Sequence, residues 1–139
     1  MDRDEEATGA THLRVFLLIG YGRLRAQIRH LLEHEGMEVV GEGASVREAL
    51  RLLPRLRPRV AVLDSTVSDG HGIEVCRQAR ESVPGLGCVL LASYPDEAPQ
   101  QSQVDCEFVL REIGSHRLLE AVRRAAEGPG TDPENGSQG

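Results

Sequence analysis

The chain has 139 residues, enough for one domain with a real core, and its formal net charge of −6 argues against general nucleic-acid binding. Its 40% hydrophobic content suits a soluble globular domain, and no apolar run approaches the length of a membrane span. The acidic, polar start from Met1 to Thr11 does not read as a secretory signal, so a cytoplasmic chain without a membrane partner is expected.

Residues 1–12 read as a disordered leader and residues 129–139 as a disordered tail or the start of a linker. The domain is expected over 13–128. Val15–Ile19 is a short apolar run, the signal of a buried strand. Leu24, Ile28, Leu31 and Leu32 then recur at helical spacing, and Gly36 is a stop. Met37–Val40 is a second strand. Ser45 with Glu48 three residues on forms a capping box, which opens a helix through about Leu53, where Pro54 and Pro58 close it. Val60–Leu63 is a third strand and ends on Asp64. A polar, glycine-containing loop leads to a helix from Ile73 to about Arg80, broken by Pro84 and Gly85. Cys88–Leu91 and Phe108–Leu110 are the fourth and fifth strands. Between them, Pro95 to Glu107 holds two prolines and three glutamines, which predicts a short, irregular fourth helix. Ser115 caps a last helix with the stripe Leu118, Leu119, Val122 and Ala126, stopped at Gly128-Pro129.

Strand alternating with helix implies a parallel sheet covered on both faces. Cys76, Cys88 and Cys106 show no metal-ligand spacing and are expected to be reduced packing residues. The five histidines are dispersed and suggest no metal cluster, and the arginines from Arg47 to Arg59 read as a solvated face.

In open parallel sheets, sites form at the carboxyl ends of the strands. A carboxylate that ends a buried apolar strand is unusual, because its desolvation must be compensated. The stretch AVLDSTVSDGHGIEVCRQAR around Asp64 resembles the phosphoacceptor segment of response-regulator receiver domains, closest to those with a helix-turn-helix output domain. The likeness extends from about Arg14 to Gly128 through RVFLLI, VVGEGASVREALRLLPRLRPRVAVLD, VLLASY and FVLREI. It implies a flavodoxin-like, doubly wound (βα)5 fold with sheet order 2-1-3-4-5 and a degenerate fourth helix.

The resemblance also implies chemistry that the other positions do not supply. The family's two acidic metal ligands fall on Ile19 and Gly20, its hydroxyl on Ala92 with Ser93 beside it, and its lysine on Arg111. Of the set, Asp64 alone is intact. Mg²⁺ binding is therefore expected to be absent or very weak, with no other cofactor. Phosphorylation is expected to be lost or weakened, with Arg111 pairing with Asp64 in bidentate fashion. The expected role is non-enzymatic: an atypical receiver in signal transduction or transcription regulation, acting through a homodimer or a regulatory protein partner. DNA would be contacted only by an output domain outside this chain. The contact face is expected at Tyr94, Phe108, Leu118, Leu119 and Val122.

A rival reading rests on Gly20-Tyr21-Gly22, a glycine loop between strand and helix, with Glu42 placed to meet a ribose hydroxyl. That pattern suggests an NAD-like nucleotide site and requires sheet order 3-2-1-4-5. The third glycine position is Arg25, which departs from the fingerprint.

Overall fold

A computed structural model describes residues 12–98, 104–111 and 115–127. The elements are β1 (Arg14–Leu18), α1 (Gly22–His34), β2 (Glu38–Gly43), α2 (Val46–Leu56), β3 (Val60–Asp64), β4 (Thr66–Val67), β5 (Gly70–His71), α3 (Gly72–Ser82), β6 (Gly87–Ala92), β7 (Glu107–Leu110) and α4 (Ser115–Ala125). A 3-10 turn, Pro95–Glu97, follows β6. The main sheet is parallel, ordered β2-β1-β3-β6-β7, with β4 and β5 forming a separate antiparallel pair. Counted by main-sheet strands alone, this is the 2-1-3-4-5 order of a flavodoxin-like fold.

The apolar runs form strands because both faces of a parallel sheet are covered, which removes the need for polar alternation. Every residue of β3 and β6 is buried. One core packs α1 and α4 against Val15, Leu17, Val60, Val62, Val89 and Val109. The other packs α2 and α3 against Phe16, Leu18, Ala61, Leu63, Cys88 and Leu90. Adjacent strand residues thus feed opposite layers, as a pleated backbone requires.

Several local expectations change. β2 runs on to Gly43, because pairing with β1 continues through Leu18. α2 carries Pro54 inside it and ends at Leu56, where Arg57 closes it in a left-handed conformation at φ 46°. A proline near the helix end forfeits one backbone bond, which is less disruptive than in a longer helix interior. The loop after β3 contains the β4–β5 hairpin, which no sequence period announced. In the segment expected to hold the degenerate fourth helix, a 3-10 turn forms at Pro95–Glu97; residues 99–103, the leader through Thr11 and the tail from 128 lie outside the described residues.

The cysteine expectation is corrected. Cys76 of α3 and Cys88 of β6 form a disulfide, with Cα atoms 6.4 Å apart. Packing of α3 onto β6 brings together two residues whose sequence positions gave no sign of pairing. Cys106 is free, and burial pushes its thiol up to about 11, which leaves little reactive thiolate.

Two glycines mark close approaches that shape the site and the far end of the sheet. A Cβ at Gly72 would run into the Asp64 carbonyl oxygen, so α3 starts hard against the end of β3. A Cβ at Gly87 would run into the Ala125 carbonyl, so the end of α4 rests on the start of β6.

Candidate functional site

The site lies at the carboxyl ends of β1, β3 and β6. Asp64 is the last residue of β3 and is only 2% exposed. Its Oδ2 accepts the Gly20 N–H at 2.9 Å, and its Oδ1 accepts Arg111 Nη2 at 3.3 Å. The Arg111 contact is single, not the bidentate fork expected. Burial pushes the Asp64 carboxyl above its ordinary value; the Gly20 amide and then Arg111 draw it partly back, and Glu97 adds to the rise.

Ile19 and Gly20 stand beside Asp64 at the end of β1. The Ile19 side chain is fully buried in the α1–α4 core layer. Its carbonyl oxygen accepts Arg25 Nη1 at 2.7 Å. Gly20 contributes its backbone amide. Ala92 is buried at the end of β6, with Ser93 next to it.

Sequence reasoning missed Glu97. The 3-10 turn folds it back so that Oε1 accepts the Ser65 hydroxyl at 2.6 Å and the Ser93 N–H at 3.0 Å. Those bonds, the Ser65 hydroxyl first, hold its carboxyl below the ordinary range. A charged residue in a stretch without periodicity gives no sign of where it will point. A second missed contact is Asp69, which accepts the Val46 and Arg47 N–H groups at 2.7 and 3.2 Å and caps α2 together with Ser45.

The Gly20-Tyr21-Gly22 loop does not form a nucleotide fingerprint. The sheet order is 2-1-3-4-5, not the order that reading requires. Glu42 is also occupied: its oxygens accept Arg25 Nε at 3.1 Å and Arg29 Nη1 at 3.0 Å. The third glycine position holds the arginine that makes the first of those pairs.

The expected contact face is also revised. Leu118, Leu119 and Val122 are 4%, 8% and 0% exposed, because the stripe of α4 packs inward on the sheet. Tyr94 is 64% exposed, and Phe108 is half-buried on the edge strand β7. A groove of about 200 Å³ beside Phe108 is also lined by Val109, Leu110, Arg117 and Arg124.

A parallel 2-1-3-4-5 sheet with a buried acid closing its central strand is the architecture of an α/β receiver-type domain. The family model described as the response regulator receiver domain matches residues 22–123, and the chain belongs to that family. A similar curated protein is the DNA-binding transcriptional activator DevR/DosR of Mycobacterium tuberculosis, 34% identical over 120 residues that cover 84% of this chain and 55% of that protein. The response regulator protein VraR of Staphylococcus epidermidis is 28% identical over 102 residues, covering 71% of this chain and 49% of that protein. The chain thus spans about half the length of the curated relatives it matches. Among solved structures, the signal receiver domain of the putative response regulator NarL from Mycobacterium tuberculosis superposes with a TM-score of 0.76 at 24% identity, covering 85% of this chain and 98% of that one; it supports the fold.

Proposed function

We propose that this chain is an atypical receiver that regulates by protein–protein contact, with acyl-phosphate chemistry at Asp64 lost or severely weakened. The observation that carries this reading is the filling of the β1 end by a core isoleucine and a glycine. A receiver's Mg²⁺ needs several oxygen ligands around the phosphoacceptor. Here Ile19 offers no side-chain oxygen toward the site, and Gly20 has no side chain. Asp64 already accepts one backbone N–H and one arginine N–H. Glu97, the other nearby carboxylate, is engaged by Ser65 and Ser93. The residues present do not fit the ion.

Without it, an incoming phosphoryl group meets the charge of Asp64, which among the described residues is offset by Arg111 and the Gly20 amide. The contact surface in this reading is the edge around β7, where Tyr94 and Phe108 provide apolar area, Arg117 provides positive charge, and Arg124 is paired with Glu107. The occupant would be a second copy or a regulatory protein of the cytoplasm, and DNA would be contacted by segments outside this chain. DevR/DosR, a DNA-binding transcriptional activator of which the match covers 55%, supports a place in transcription regulation.

The test is incubation with acetyl phosphate and Mg²⁺ followed by intact mass, with Asp64→Asn alongside. No phosphoryl adduct on the wild type is expected. An adduct that disappears in Asp64→Asn would overturn the proposal.

A further inference from the structure

A cleft of about 270 Å³ opens between α1 and α4 beside the Asp64 site. Leu24, Ile28 and Leu31 of α1 form one wall, and Val109 and Leu118 face them. Ile28 and Leu118 are buried, whereas Leu24 and Leu31 at the margin of the α1 stripe are only half-buried. Apolar walls that remain partly wetted gain free energy from an apolar occupant. The volume lies just under the roughly 300 Å³ at which drug-sized pockets begin, so the occupant is smaller than that class.

Among the described residues, Arg111 is the only charged one lining the cleft. Its side chain is 37% exposed, and its one hydrogen bond among the described residues is the 3.3 Å contact with Asp64. That distance lies beyond the usual range for an N–H···O bond. A guanidinium has five N–H donors, so most of its capacity is not taken up by this contact. Apolar walls with a single arginine select a ligand that has an apolar body and one anionic head.

We infer that this cleft binds a medium-chain carboxylate whose head competes with Asp64 for Arg111. Occupancy then has a reach beyond the cleft. With Arg111 turned to the ligand, Asp64 keeps the Gly20 amide and loses its nearest cation. The buried carboxyl takes up a proton more readily, and the loops after β1 and β3 register that change. By linkage, removing the Asp64 charge tightens ligand binding, because the competitor is gone. The inference stands whether or not Asp64 can be phosphorylated.

Calorimetric titration with octanoate, kept below its micellar concentration, tests it, with octanol and acetate as controls. Saturable octanoate binding is expected, with octanol weaker and acetate silent. Arg111→Gln should weaken octanoate about tenfold or more while leaving octanol unchanged. Asp64→Asn should strengthen octanoate. Leu24→Trp, which fills the cleft from its half-exposed wall, should abolish both chains while circular dichroism stays native. No octanoate binding overturns the inference. So does equal binding to wild type and Arg111→Gln, which would mean apolar partitioning without head recognition.

Discussion

The ends of β1 and β3 are neighbours in the sheet, yet their residues solve opposite problems. At β3 a carboxylate is buried and its charge is met by the protein's own groups, the Gly20 amide and Arg111. At β1 the side chain is apolar and joins the core, and only backbone atoms face the site. Both backbone groups at that end are used: the Ile19 carbonyl binds Arg25, and the Gly20 amide binds Asp64. The groups that reach Asp64 are thus an amide and an arginine, where a metal ion would need further oxygen ligands. The contrast teaches that keeping a buried acid does not require keeping its metal, provided other donors compensate its desolvation.

The largest effect should come from reversing the β1 end. Ile19→Asp removes a fully buried side chain from the core and adds a charge, and should cost about 3–5 kcal/mol by denaturant melt. If this position borders a latent metal site, Mg²⁺ should restore part of that loss in Ile19→Asp and leave the wild type unmoved. Equal response of both proteins to Mg²⁺ would break the contrast between the two strand ends.

The Asp64–Arg111 pair comes next. Arg111→Gln should cost about 1 kcal/mol at neutral pH, modest because Arg111 is part-exposed. The pH dependence follows from the raised Asp64 carboxyl. Its folded form holds the proton better than the unfolded chain does. That contribution to stability is complete below the ordinary carboxylate range and is lost as pH rises through the folded value. Asp64→Asn should remove this slope, match wild type in acid and be the more stable of the two at neutral pH. Melts of both single variants and the double variant across pH measure the coupling; additive effects would mean that the 3.3 Å contact contributes nothing.

The smallest change concerns Glu42. Glu42 and its two arginine partners are all part-exposed, so Glu42→Gln should shift stability by about 1 kcal/mol or less. Adenine dinucleotides should not raise the melting temperature of either protein.

How much of this was legible depends on whether a residue's environment is set locally. The strands and the parallel sheet were readable because continuous apolar runs alternate with 3.6-residue stripes, whereas the sheet order came from the likeness to receivers and not from the periodicity. Asp64 stood out by being charged at the end of such a run. The partners of Asp64 were only half readable. Arg111 could be placed after β7, but its single contact depends on side-chain reach. Glu97, Arg25 and the Cys76–Cys88 bridge depend on how a turn or helix lies on the sheet, and sequence spacing carries no trace of that. The stripe of α4 was read correctly as apolar. Leu118, Leu119 and Val122 were then placed on a contact face although one stripe cannot serve both core and partner.

The close rest of Ala125 on Gly87 has a consequence for any message this domain sends. α4 begins near the Asp64 end of the sheet and finishes at the opposite pole, where β6 begins. At about 3.3 Å per residue, the 6 residues of β6 separate those poles by under about 20 Å. Whatever the chain does beyond Ala125, it departs from the pole remote from the acid. A change at Asp64 that is to reach the chain beyond Ala125 has that span of the sheet to cross.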